Sequence, residues 1–206
     1  MESPPRRSVK AWAIDLTLCA VYVYFATNVF RDWIATHKPL GLGLFVVNTT
    51  FAYLFIARRP ARDCSKIPRD WLVTAITILL VFILRPVDNT AATLARVSVA
   101  LQGVAVFAQF LAILSLGRSF GLVPANRGVK VSGVYAYVRH PLYASELLFY
   151  AVFVLGNPTW GNGVVLAGIV AGQILRARAE EALLSKDPAY EQYLQTVRCR
   201  FVPGLL

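Results

Sequence analysis

Histidine and cysteine are almost missing from this sequence: His37, His140 and three cysteines in 206 residues. Cys19 lies in an apolar block, Cys64 in a basic loop and Cys199 in the tail, with no paired spacing. That pattern supports neither a disulfide framework nor a CxxC metal site, and no zinc or iron centre of His and Cys is expected. Charge is scarce too, at 16% of residues, and acids are outnumbered by bases 11 to 21. A net charge of +10 suits a nucleic-acid binder, but these basic residues stand in loops between apolar blocks. A positive-inside membrane bias accounts for that better, and no nucleic-acid partner is expected. Internal repeats, low-complexity stretches and domain linkers are absent, so a single integral membrane domain over 1–206 is the simplest reading.

What is abundant is apolar sequence, at 57% of residues and a mean hydropathy of +0.56. The expected fold class is all-α, a multi-pass transmembrane helical bundle of about six helices. The segments run from about Ala11 to Phe30, Leu40 to Ala57, Trp71 to Leu84, Val97 to Leu116, Pro141 to Leu155 and Val164 to Leu175. Arg6, Arg7 and Lys10 precede the first, which is near span length with no clear cleavage site and reads as a membrane helix rather than a signal peptide. The fifth reaches only about 22 Å at 1.5 Å per residue, so the last two form a short hairpin around the uncharged turn Gly156–Gly163. Segment six continues as an amphipathic stretch that ends before Pro188.

Loop charge sets an expected orientation. One side collects the N-terminal bases, Arg58, Arg59, Arg62, Lys66, Arg69, Arg118, Arg127, Lys130, Arg139, Arg176, Arg178, Lys186, Arg198 and Arg200. The other keeps Arg31, Lys38, Arg85 and Arg96. The split predicts both termini in the cytoplasm and an even number of crossings.

The chain is organised around residues 127–146, where a glycine-punctuated loop enters an apolar helix through Arg139-His140-Pro141-Leu142-Tyr143. Proline suits the first position of a helix, and the residue before it is pushed toward extended backbone. The N–H groups just inside, Leu142 and Tyr143 among them, then lack intrahelical partners and attract an anion. Two further features lie on the same face: Glu180-Glu181 with Arg176 and Arg178 one turn earlier, and a tail with Tyr190, Tyr193, Arg198, Arg200 and Pro203. Glu146, one turn into an apolar helix, is a costly carboxylate and a candidate for function or a buried partner. Each has a plainer reading: a juxtamembrane anchor at Arg139-His140-Pro141, a solvated face at Glu180-Glu181, interfacial rings at Tyr143 and Tyr150.

Taken together, SGVYAYVRHPLYASE, the later Glu-Glu and the Tyr-rich basic tail resemble the isoprenylcysteine carboxyl methyltransferase family, related to the membrane phospholipid methyltransferases. The resemblance covers roughly Gly117 to Pro203. It implies an S-adenosylmethionine-dependent membrane methyltransferase whose cofactor is bound on the cytoplasmic side by the C-terminal half, residues 117–206, with 1–116 as scaffold. Family cofactor contacts fall on Gly128, Val129, Lys130, Tyr135, His140, Pro141, Leu142 and Tyr143, and on Glu180 or Glu181. The substrate-side arginine matches Arg176, with Glu146 beside the substrate, and Arg176 and Glu180 are expected to carry the chemistry. Ser145 stands where many members have glycine, and the larger side chain there is expected to narrow the pocket. The implied partners are a lipophilic or lipidated acceptor, its acceptor group a carboxylate, and the bilayer, plasma or inner membrane in a bacterium and endoplasmic reticulum in a eukaryote. Two rivals remain: a nicotinamide-dependent membrane sterol reductase, and a non-catalytic lipid-binding membrane protein.

Overall fold

A computed structural model describes residues 7–87 and 91–204. Arg6, counted above among the basic residues, lies outside them. The chain is 73% helical, with seven helices among the described residues. They are α1 (Val9–Thr36), α2 (Pro39–Ala57), α3 (Pro68–Val81), α4 (Ala92–Leu116), α5 (Pro141–Gly156), α6 (Trp160–Leu184) and α7 (Pro188–Thr196). Proline opens α2, α3, α5 and α7, where its missing N–H costs nothing. Side chains cap the other starts of α1 and α6: Ser8 accepts from the Ala11 N–H at 3.2 Å, and Thr159 from the Asn162 N–H at 3.1 Å.

Three helices are long and apolar enough to cross a membrane: α1, α2, and α4 continued through a 3₁₀ turn to Ser119. The other expected segments differ. α3 has 14 residues and α5 has 16, about 24 Å. α6 has 25 but carries Arg176, Arg178, Glu180 and Glu181. It begins at Trp160 rather than Val164, because the Thr159 cap turns most of the expected loop into helix. The tail also departs from expectation, since Tyr190 and Tyr193 lie on a helix of their own. A two-residue antiparallel ladder of β1 (Asp63–Cys64) and β2 (Ala125–Asn126) interrupts the all-helical pattern.

α1 packs on α2, α4 on α5 and α2, and α3 on α6. The main core joins Val47, Phe51, Leu54 and Phe55 of α2 to Val106, Ala112 and Ile113 of α4, closed by Phe120 and Leu142. The outward faces are apolar as well: Val23, Leu72, Leu79, Phe107 and Leu114 are all exposed. An apolar exterior of this extent is what a lipid phase or a partner covers.

The basic residues gather at one end. Arg7 donates to the Ile56 carbonyl (2.9 Å) and Arg118 to the Ala57 carbonyl (2.7 Å). Asp15, buried in α1, pairs with Arg58 and, at 3.2 Å, with Arg7. At the opposite end Asn162 clamps the Arg85 backbone, accepting from its N–H (3.0 Å) and donating to its carbonyl (2.8 Å). The start of α5 and the end of α6 belong to the basic end.

Candidate functional site

The chain entering α5 and the tail pair edge to edge. The Arg139 N–H donates to the Cys199 carbonyl and the His140 N–H to the Arg200 carbonyl, both at 2.9 Å. Behind them Tyr190, Tyr193 and Val197 form a small core with Val129, Leu184 and Leu194. The Tyr193 hydroxyl reaches forward to donate to the Tyr135 carbonyl at 2.6 Å. The tail therefore straps the loop before α5 against α6.

The two glutamates separate at this point. Glu181 takes a bidentate pair from Arg200 (3.0 and 2.7 Å), Arg139 at 3.1 Å and His140 Nε2 at 3.0 Å. Burial acts to raise its pKa, but the hydrogen bonds from His140 and Arg200 and the charges of His140 and Arg139 outweigh it, holding the carboxyl at about 2. Glu180 instead accepts from the Tyr143 hydroxyl through Oε2 at 2.9 Å. Its Oε1 makes no hydrogen bond within the described residues. The rings of His140 and Tyr143 stack, 5.4 Å between centroids and 1° apart in plane.

Glu180, Tyr143, His140, Arg139 and Leu142 line one side of a cleft, and Tyr135, Ser119, Gly121, Val123 and Ala125 line the rest. Its donors suit an anion. The N–H groups of Leu142 and Tyr143 make no hydrogen bond among the described residues, and Arg139 Nε is buried without a partner. These donors share the cleft with a carboxylate, Glu180, so the cleft presents both anion-binding and cation-binding groups. The cleft volume is about 30 Å³, room for a water or two but for neither an amino-acid group nor a nucleoside.

A second, apolar cavity of about 380 Å³ lies beside Arg176. α1 contributes Tyr22 and Phe25, α2 Val47 and Phe51, α3 Ile78, with Phe82 just past its end, and α5 Phe149. One side of it is polar. Gln173 donates to Glu146 at 2.6 Å and accepts from Arg176 Nη1 at 2.8 Å, while Arg176 Nη2 donates to the Leu122 carbonyl at 3.1 Å. The Arg176 guanidinium sits 4.7 Å above the Tyr143 ring, and its Nε is buried with no partner. Tyr143 lines the cleft and Arg176 the apolar cavity, so the guanidinium stacked on the ring joins the two linings, with Glu180 at the Tyr143 hydroxyl.

The sequence-derived site residues divide accordingly. Tyr135, His140, Leu142, Tyr143 and Glu180 line the cleft. Arg176 and Glu146 meet at the apolar cavity. Pro141 is buried as the first residue of α5 without lining the cleft. Gly128, Val129 and Lys130 do not line it either: Gly128 turns at φ +99° with its N–H on Asn126, and Val129 packs into the tyrosine core. Glu181 serves the strap. Ser145 donates to the Leu142 carbonyl at 2.8 Å and does not line the cleft.

Gln173 was not singled out from sequence, whereas Arg139 and Arg200 were, as part of the helix-start motif and the tail, without their shared contact to Glu181. Gln173 had a signal, a polar residue three before Arg176 and so on its helix face. No protein-family model and no curated protein matches this chain.

Proposed function

We propose that this chain is an integral membrane methyltransferase that uses S-adenosylmethionine and acts on a lipophilic acceptor bearing a carboxylate. The observation that carries the reading is the stacked pair of Tyr143, which lines the cleft, and Arg176, which lines the apolar cavity. On one side stands a small polar cleft with anion donors and a free carboxylate oxygen, on the other an apolar cavity large enough for a lipid chain. A reaction between a charged, water-soluble donor and a greasy acceptor needs two such spaces in contact. The resemblance of residues 117–203 to the isoprenylcysteine carboxyl methyltransferases points the same way. The multi-pass arrangement, with the site and both termini cytoplasmic, belongs to this proposal and rests on the gathering of basic residues at one end.

The bound cofactor supplies a methyl group already activated on a sulfonium. The protein's part is placement. The Leu142 and Tyr143 N–H groups and Arg139 Nε hold the cofactor carboxylate. Glu180 takes the ammonium, and its bond from Tyr143 fixes which oxygen is free. On the acceptor side Arg176 Nε, with Gln173 holding the guanidinium, orients the acceptor carboxylate. That carboxylate is ionised at neutral pH and needs no general base. Because the cleft holds about 30 Å³, cofactor binding requires it to open.

The test is calorimetric titration of the detergent-purified protein with S-adenosylmethionine and its demethylated product, for wild type and Glu180→Gln. Wild-type binding that weakens about tenfold in the variant is expected, from loss of one charge-assisted hydrogen bond. No binding by folded wild type ends the methyltransferase reading. Oxidation of reduced nicotinamide with a sterol would replace it with a reductase, and neither activity would leave a lipid-binding protein.

A further inference from the structure

A third cavity lies on the flank between α1 and α3, next to the cleft and the acceptor cavity. α1 packs on α2 and α3 on α6, so the two helices are not each other's main partners. At the far end Phe25 stacks on Phe82 at 5.6 Å and joins them. At the basic end they stand apart around a cavity of about 390 Å³. Its walls are Ile14 and Leu18 of α1 and Trp71, Ala75, Ile78 and Leu79 of α3. Ile14, Trp71, Ala75 and Leu79 are also exposed, so the cavity opens sideways through an apolar mouth.

The polar side of this cavity is basic, with Arg58 and Arg127. The ladder of β2 on β1 places Arg127 there, since it follows Asn126, the partner of Asp63. Arg127 Nε and Nη1 are buried and have no hydrogen-bond partner, and Arg58 Nε is likewise unpartnered. Three guanidinium groups, Arg7, Arg58 and Arg127, surround one carboxylate, Asp15, which is already paired with the first two. Burial and the neighbouring charges of Arg58 and Arg7 push Arg127 down to about 10, against the weaker help of Cys64 and Asp15. A buried guanidinium in such surroundings lacks an anion.

We propose that this flank binds an anionic phospholipid of the bilayer, its phosphate held by Arg127 and Arg58 and one acyl chain lying between α1 and α3. The shape and charge agree: a cationic, hydrogen-bond-donating head site stands over an apolar slot that is open at the side. The site uses none of the polar groups of the cleft or of the acceptor cavity, although Val123 also lines the cleft and Leu18, Ile78 and Leu122 also line the acceptor cavity.

The experiment uses the full chain in neutral detergent, with a fluorescent-chain phosphatidylglycerol as ligand and phosphatidylcholine, inorganic phosphate and a long-chain fatty acid as competitors. Expected is saturable binding displaced by unlabelled phosphatidylglycerol and at least about tenfold less well by the other three, and weakened about tenfold or more in Arg127→Gln. Ala75→Trp, which fills the slot from an exposed position and keeps both arginines, should weaken it comparably. Without lipid, Arg127→Gln should melt no lower than wild type, because it removes an uncompensated charge. Undiminished phosphatidylglycerol binding by Arg127→Gln overturns the proposal. So does equal competition by phosphatidylcholine, which would mean no headgroup recognition, or by inorganic phosphate, which would mean a free-anion site. Equal competition by the fatty acid would transfer the site to a carboxylate ligand and overturn it as well.

Discussion

Glu180 and Glu181 are adjacent on α6, yet one belongs to the cleft and the other to the strap that closes behind it. Glu181 is held by Arg139, His140 and Arg200, whereas among the described residues Glu180 meets the Tyr143 hydroxyl within hydrogen-bond distance, with His140 Nδ1 at 3.9 Å from the same oxygen, and its other oxygen has no hydrogen bond. A helix turns about 100° per residue, so consecutive side chains diverge even when both stay at one interface.

The two isosteric variants should therefore fail differently. Glu181→Gln keeps the shape but removes the charge that three basic groups share. It is expected to cost about 1.5–3 kcal/mol of stability, the range for hydrogen bonds to charged groups. Glu180→Gln should leave the melting temperature unchanged and lower cofactor affinity. Thermal denaturation of both, beside the calorimetric titration, separates the roles. Equal losses of stability would mean that Glu180 is structural too.

Acid should find the same strap. The Glu181 carboxyl is held at about 2 against an ordinary 4.5. A carboxyl depressed by folding contributes fully above its unfolded value and loses that contribution as pH falls toward its folded one. Glu181 thus adds pH dependence between about 4.5 and 2, where the wild-type melting temperature falls. In Glu181→Gln this part of the fall should vanish, giving a flatter curve through that window. Parallel curves for the two proteins would place the acid-sensitive group elsewhere.

Much of this architecture was legible in the chain, and the reason is local. The blocks of α1, α2 and α4 announce themselves by length, and Pro141 marks the start of α5 because proline tolerates little else there. The adjacency of Arg176 and Glu180 followed from a spacing of four. The strap was not legible, because it depends on residues as far apart as Arg139 and Cys199 meeting as backbone edges. The start of α6 was misread for a different reason: Gly156-Asn157-Pro158 reads as turn chemistry, and the Thr159 cap two atoms beyond the backbone decides the matter. The flank site between α1 and α3 depends on which helices fail to pack together, which no single segment encodes.

The seam between α3 and α6 gives a packing test. A Cβ placed on Gly172 would collide with Thr77 Oγ1 and lie 3.0 Å from Thr77 Cβ. Thr77 is itself buried and donates to the Val73 carbonyl at 2.7 Å, so it has little freedom to move away. Gly172→Ala is expected to destabilise by about 1–3 kcal/mol, the usual cost of overpacking. Adding Thr77→Ala removes the clashing hydroxyl and should restore part of that loss, a coupling that a double-mutant cycle of melting curves measures. Simple additivity would mean that the helices shift apart at no cost.

Gln173 offers the sharpest separation between the two spaces. It is almost wholly buried and holds both neighbours, donating to Glu146 and accepting from Arg176. Gln173→Leu keeps the volume but leaves Arg176 with only the Leu122 carbonyl at Nη2 and the Tyr143 ring. If Arg176 orients the acceptor, its loosened guanidinium should raise the acceptor KM about tenfold, the worth of one charge-assisted hydrogen bond. Cofactor affinity should not change, because Tyr143 still donates to Glu180 on the far side of its ring. Gln173→Glu, which can still accept from Arg176 but sets a second carboxylate against Glu146, should recover less than wild type and more than leucine at a pH where one of the pair is protonated. A fall in cofactor affinity matching the rise in KM would show that Tyr143 transmits strain from one lining to the other instead of insulating the two sites from each other.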